Sequence, residues 1–140
     1  MINVQYKDGA HFLNINPNGS WIDLHLYESC VLEPGEFALL DLGVAMKLPE
    51  GYEAIMAPRS STFKKYGILQ ANSIGIIDPT YCGPDDWWKF PALNLSGKTQ
   101  YLEENTRLCQ FRILPTQKVN LNHESILWGE SRGGFGTSGD

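Results

Sequence analysis

The feature that most limits the fold of this chain is a two-residue rhythm of apolar side chains, interrupted again and again by turn formers. In Trp21–Tyr27, the apolar Ile22, Leu24 and Leu26 alternate with Asp23, His25 and Tyr27. Successive side chains of a strand point to opposite faces, so this run predicts a half-buried strand with Asp23 on the face away from the core. Leu42, Val44, Met46 and Leu48 alternate again and run into a Pro49-Glu50-Gly51 turn. Cys109, Phe111 and Ile113 share one face, leaving Gln110 and Arg112 on the other, and Val119 and Leu121 mark a short late strand. Asn16-Pro17-Asn18-Gly19, Glu33-Pro34-Gly35, Asp78-Pro79 and Gly83-Pro84 punctuate these runs. Many short strands with such turns predict an all-β barrel or sandwich.

One segment departs from the rhythm. Ser60-Ser61-Thr62-Phe63-Lys64-Lys65-Tyr66 offers a capping hydroxyl and helix-tolerant residues, with Gly67 as a stop. It predicts a single helix of two turns or fewer. Residues 131–140 have no periodicity and read as a mobile, glycine-rich arm. With 140 residues and no internal repeat, one domain over residues 1–130 precedes that arm.

Composition narrows the function. Hydrophobic residues at 42% are enough for a buried core. A net charge of −5 argues against nucleic-acid binding by bulk charge, but leaves room for a small phosphate ligand held by one or two cations. No run approaches a membrane span and the first ten residues are not a signal peptide, so the expectation is a cytoplasmic protein, or one of the host cytoplasm if viral. Cys30, Cys82 and Cys109 are an odd number without short pairing and read as free thiols. His11, His25 and His123 have no zinc spacing.

Three runs carry chemistry. Pro58-Arg59-Ser60-Ser61 opens the helix, where a cation and two hydroxyls suit a phosphate; the alternative is an ordinary capped helix. The tail carries Arg132, the amides of Gly136 and its neighbouring glycines, and the hydroxyls of Thr137 and Ser138, a set suited to a terminal phosphate. Phe135 sits among them, free to stack on a planar ring; the alternative is a plain disordered terminus. Asn72–Tyr81 has a strand-like Ile74–Ile77 stretch that stops at Asp78, where Pro79 fixes the turn; the alternative is an Asp-Pro turn with an edge tyrosine.

Taken in order, Asp23-Leu24, Ala57-Pro58-Arg59-Ser60-Ser61 with Gly67-Ile68, Gly75-Ile76-Ile77-Asp78 with Tyr81 and Gly83, Asn105–Gln110, and Arg132-Gly133-Gly134-Phe135-Gly136 form a series. It resembles the five motifs of the trimeric dUTP pyrophosphatases (dUTPases). The resemblance implies a jelly-roll-like β-barrel, a homotrimer whose sites are shared between subunits, and hydrolysis of dUTP to dUMP and pyrophosphate with Mg²⁺. It implies Asp78 as the general base for a water attacking the α-phosphorus in line. Tyr81 would lie under the deoxyribose and refuse a 2′-hydroxyl. Asn72 and backbone groups of a hairpin from Asn72 to Tyr81, those of Gly75 and Ile77 among them, would hold uracil. Arg59, Ser60 and Ser61 would bind the triphosphate, Gln110 would fix phosphate or water, and Asp23 would reach Mg²⁺ through waters. Phe135 would cap the uracil, and Arg132 with Gly136, Thr137 and Ser138 would meet the terminal phosphates.

The chain departs from the family pattern in three places. Trp21 replaces a small residue two before Asp23, with Ile22 next to the Asp. Residues 82–91 are bulkier and longer than expected, implying a reshaped hairpin or an altered trimer contact, with Asp85 and Asp86 read as turn residues. Arg132 lies only three residues before Phe135. Two other readings remain. A regulatory nucleotide-binding protein would use residues 85–91, with exposed aromatics, to meet a protein partner. A dCTP deaminase would need a glutamate ahead of Asn94, where the chain reads Phe90-Pro91-Ala92-Leu93-Asn94.

Overall fold

The computed structural model describes residues 1–136. Eleven strands and one helix follow each other as β1 (Asn3–Tyr6), β2 (Ile22–His25), β3 (Cys30–Leu32), β4 (Phe37–Asp41), β5 (Val44–Lys47), β6 (Tyr52–Pro58), α1 (Thr62–Tyr66), β7 (Ile68–Gln70), β8 (Gly75–Ile77), β9 (Lys89–Asn94), β10 (Gln100–Leu102) and β11 (Arg107–Pro115). Early strands pair antiparallel with late ones: β2 with β11, β3 with β10, β4 with β9. This nesting is what a long hairpin makes when it is rolled up, and it is the jelly-roll-like barrel that the resemblance implies. The largest sheet runs β2-β11-β6-β8 and the next β4-β9-β7. No helix among the described residues is long and apolar enough to cross a membrane.

The inward half of each alternation makes the core. Leu24, Leu26, Met46, Met56, Phe90, Leu108 and Phe111 are all buried, and the Trp88 ring meets Phe111 edge to face at 5.1 Å. That geometry sets the positive ring edge against the negative ring face. Cys30, Cys82 and Cys109 are free thiols. Cys109 lies wholly inside, where burial pushes its pKa far up and makes it a packing residue.

Four details differ from expectation. The helix starts at Thr62, and the Ser61 side chain makes no capping bond. The Thr62 hydroxyl instead ties the start of the helix to the barrel, accepting from the Arg59 N–H at 3.1 Å and donating to the Leu108 carbonyl at 2.6 Å. Gly67 does end the helix, at φ 64°, and a Cβ there would come within 2.5 Å of the Ser96 Cβ. Val119 and Leu121 form no strand. β11 ends at Pro115, and the alternation beyond it buries nothing, since Val119 and Leu121 are both exposed. Asn72–Tyr81 is not one arm of a paired hairpin: β7 pairs with β9, and β8 with β6. The aromatics of residues 85–91 are not displayed either, since Trp88 and Phe90 are buried and Trp87 is half-buried.

Candidate active site

Two hollows collect the chemistry-bearing residues. The first follows from sheet register. Asp23 on β2 stands opposite Gln110 on β11, which stands opposite Ala57 on β6. Directly opposed side chains on one face lie ~5 Å apart, so Asp23 and Gln110 share the outer face, and Arg59 follows at the end of β6. The resulting hollow of about 340 Å³ is lined by Asp23, Arg59, Ser60, Gln110, Trp21 and residues of the 14–20 loop. Asp23 faces two guanidiniums: Arg59 Nε lies 3.3 Å from Oδ1, and Arg107 Nη1 lies 3.2 Å from Oδ2. Of these charges Asp23 and Arg59 line the hollow itself, so its cation is already paired and an anionic ligand would compete with the carboxylate for it. Gln110 donates to the Pro58 carbonyl at 3.2 Å, which keeps its amide oxygen available. Among the described residues, the Ser60 and Ser61 hydroxyls have no hydrogen-bond partner. Trp21, the bulky departure, packs its ring 5.8 Å from the Arg112 guanidinium at the rim.

The second hollow, about 380 Å³, is lined by Ile76, Ile77, Asp78 and Tyr81 on one arm and by Trp87, Trp88 and Lys89 on the other, with Leu39. It is open because these arms do not pair. Asp78 begins a tight turn: its Oδ1 accepts from the Thr80 amide at 2.9 Å and the Thr80 hydroxyl at 2.6 Å, and the Tyr81 amide donates to the Asp78 carbonyl at 3.0 Å. The Thr80 hydroxyl, then the Thr80 amide, hold the Asp78 carboxyl below its usual pKa, so it is ionised at neutral pH. Among the described residues Oδ2 takes no partner, which leaves it open to a water. Burial, and after it the charge of Asp86, raises the Tyr81 pKa, so its hydroxyl keeps its proton and donates to the Trp87 carbonyl at 2.9 Å. Before β8, the Ile74 amide donates to the Asn72 carbonyl at 2.6 Å across Ser73, whose φ is 62°. Such a γ-turn with positive φ is strained and concentrates at functional loops. Gly75 is buried against β6, where a Cβ would lie 3.1 Å from that of Met56.

One chain does not join the two hollows. Ile77 pairs with Ala54, five residues before Arg59, which at about 3.3 Å per residue puts roughly 16 Å between them along β6. Arg132 and Phe135 line neither hollow, and the Phe135 ring is fully exposed. Thr137 and Ser138 lie outside the described residues. Asp86 acts as a turn residue, its Oδ2 accepting from the Gly83 amide at 2.8 Å.

Sequence reasoning missed Arg107 and Thr80. Arg107 is three residues from Gln110, so plain alternation puts them on opposite faces. A bulge between Arg107 and Cys109 inserts Leu108 and returns Arg107 to the Asp23 side. The only signal for Thr80 was its place two residues after an Asp-Pro turn.

No group of three or more His, Cys, Asp or Glu side chains among the described residues could hold a metal ion. Asp23 is the single carboxylate lining the first hollow, a donor set that would suit a Mg²⁺ arriving on phosphate oxygens with its own waters.

A family model described as dUTPase matches residues 10–139. The SPbeta prophage-derived deoxyuridine 5′-triphosphate nucleotidohydrolase YosS of Bacillus subtilis (strain 168) is 43% identical over 140 residues, covering 99% of this chain and 97% of that protein. A deoxyuridine 5′-triphosphate nucleotidohydrolase of Hydrogenobaculum sp. is 38% identical, over 95% of this chain and 92% of the relative. Among solved structures, the Staphylococcus bacteriophage 80alpha dUTPase with dUPNHPP superposes with a TM-score of 0.83 at 22% identity, covering 99% of this chain and 98% of that one. The dUTPase from Streptococcus mutans gives 0.77 at 22% identity, over 84% and 98% of the two chains.

Proposed function

The chain belongs to the dUTPase family, and from that membership we propose that it hydrolyses dUTP to dUMP and pyrophosphate, with Asp78 as the general base and Mg²⁺ carried on the triphosphate. The observation that supports this best is the division of labour between the two hollows. One offers a slot for a base and sugar beside an ionised carboxylate with a free oxygen. The other offers cations, hydroxyls and an amide suited to phosphates.

Asp78 Oδ2 holds a water and takes its proton as the water attacks the α-phosphorus in line, a contribution of ~10²–10⁴-fold. Thr80 fixes the carboxylate through Oδ1, so the free oxygen keeps its aim. Tyr81 presents its ring under the deoxyribose and leaves no space for a 2′-hydroxyl. Asn72 and the backbone of Gly75 and Ile77 hold the uracil edge. Arg59, Ser60 and Ser61 grip the phosphates, and the Gln110 amide orients a phosphate or water. When bound, Mg²⁺ neutralises charge on the phosphate oxygens, and Asp23 orders its waters. Arg132, Gly136, Thr137 and Ser138 close on the terminal phosphates while Phe135 caps the base, which excludes bulk water and strengthens each charged contact.

Since roughly 16 Å along β6 separates the hollows in one chain, a homotrimer that sets one subunit's Asp78 slot against a neighbour's Arg59 hollow completes the site. The test is pyrophosphate release from dUTP, dTTP, dCTP and UTP side by side. The expected result is release from dUTP alone. Ammonia from dCTP would reverse the reading in favour of a deaminase, although β9 carries no acid ahead of Asn94.

A further inference from the structure

The segment after Tyr81, the bulkiest departure from the family pattern, folds inward and is braced by the N-terminal strand. Gln5 on β1 donates from Nε2 to the Pro84 carbonyl at 3.1 Å. Gly83 and Asp86 close a turn on each other, the Asp86 amide donating to the Gly83 carbonyl at 3.1 Å. Trp88 is buried, and its amide donates to the Val44 carbonyl at 2.8 Å. Between these anchors Trp87 lies half-buried, with the Lys7 ammonium 5.0 Å from its ring centre. Lys7 is itself fixed by an ion pair with Asp41 and lies 5.4 Å from the Tyr27 ring centre. A cation held between a carboxylate and two aromatic faces is a stiff support for one of those rings.

This support ends at a single hydrogen bond. The Trp87 carbonyl receives the Tyr81 hydroxyl at 2.9 Å. Tyr81 is 39% exposed, so packing alone leaves its ring free to swing. Its amide is tied to the Asp78 carbonyl, so the tilt of the ring and the turn that holds Asp78 belong to one rigid unit.

We propose that Lys7 and Trp87 are positioning residues for substrate choice: through the Trp87 carbonyl they lock the Tyr81 ring at the tilt that admits a deoxyribose and refuses a ribose. The inference rests on the dUTP reading above and adds to it what sets the sugar selectivity. Without the lock the ring yields to a 2′-hydroxyl, so selectivity falls more than turnover of the correct substrate. The Lys7 cation reaches neither hollow and acts only through Trp87.

The test compares kcat/KM for dUTP with kcat/KM for UTP in the purified full-length protein. Their ratio in one preparation is independent of the fraction folded. Tyr81→Phe, which keeps the ring and removes the hydroxyl, lowers the ratio by about tenfold, the ceiling for one neutral hydrogen bond. Lys7→Met lowers it in the same direction by roughly three- to tenfold, with kcat for dUTP within about twofold, and Lys7→Arg restores it. The double variant Tyr81→Phe/Lys7→Met is no less selective than Tyr81→Phe, because both act on one link. An unchanged ratio in Tyr81→Phe, or in a folded Lys7→Met, or full additivity in the double variant, overturns the proposal. If Lys7→Met does not fold, Tyr81→Phe still decides it. Wild-type protein that releases no pyrophosphate from dUTP overturns the underlying reading instead.

Discussion

The Arg59 Nε lies 3.3 Å from Asp23 Oδ1, so the cation assigned to the triphosphate is neutralised before substrate arrives. Arg107 occupies the other oxygen at 3.2 Å. The carboxylate therefore restrains both guanidiniums, and the arriving metal–nucleotide must share it with them. Asp23→Asn releases both cations. The expected outcome is tighter binding of a non-cleavable dUTP analogue without Mg²⁺, and loss of most of the gain that Mg²⁺ gives. Calorimetric titration with and without the metal checks this, and an unchanged Mg²⁺ effect would remove Asp23 from the metal's surroundings. Stability should move by less than about 1 kcal/mol, because half-exposed ion pairs contribute little.

As the proposed base, Asp78 would act only while ionised. Its carboxyl is held below the usual range, first by the Thr80 hydroxyl and then by the Thr80 amide. Activity should therefore persist below the pH at which an ordinary carboxylate is half protonated, and fall as pH drops through the lowered value. Thr80→Ala removes the larger support and leaves the amide. The acid limb of the kcat/KM profile should then move to higher pH, with the neutral plateau little changed. Asp78→Asn should cost at least about a hundredfold in kcat while the substrate still binds. A full pH–rate profile of the three proteins decides both points.

The strand alternation made most of this architecture legible. Ile22, Leu24 and Leu26, or Cys109 and Phe111, needed only a period of two to be placed inward, and Asp23 and Gln110 outward. What stayed hidden depends on events that a period cannot encode. The extra residue at Leu108 reverses the parity of β11 and brings Arg107 to Asp23. Thr62 rather than a serine anchors the start of the helix, its hydroxyl reaching the Leu108 carbonyl across 46 positions of chain. Val119 and Leu121 alternate correctly yet make no strand, since pairing requires a neighbouring edge as well as a pattern. The Trp87 carbonyl that meets Tyr81 belongs to a backbone group, which leaves no mark in side-chain identity.

His25 gives a stability prediction separate from catalysis. Its ring stacks on His11 with centres 4.1 Å apart, and its Nδ1 is buried without a partner. Burial first, then the neighbouring His11, lowers its pKa below the ordinary 6.5. The folded state therefore favours the neutral ring, while the unfolded chain takes a proton near 6.5. Stability from this residue is present above that pH and is lost as pH falls below it, down to the lowered folded value. Thermal melts from pH 8 to pH 5 should show a decline that His25→Gln flattens. Equal slopes in the two proteins would assign the decline elsewhere.

The reading of residues 131–140 as an arm distinct from the barrel can be tested by truncation. Every element of the fold ends by Pro115, and the buried core ends at Phe111. Phe135 is fully exposed, at a φ of 51° that a non-glycine residue adopts only locally. An aromatic ring that buries nothing in the isolated chain contributes no folding stability, and under the proposed function it would act by covering the base. Truncation after Gly129 should leave the melting temperature and the number of subunits in the assembly unchanged. It should lower kcat by about 10²-fold, the scale of losing one donor to transition-state charge. Phe135→Ala should instead raise KM more than it lowers kcat, because stacking on the base is made equally in ground and transition states. Full activity in the truncated protein would show that the barrel alone holds the nucleotide, and that water exclusion by the arm adds nothing to the chemistry.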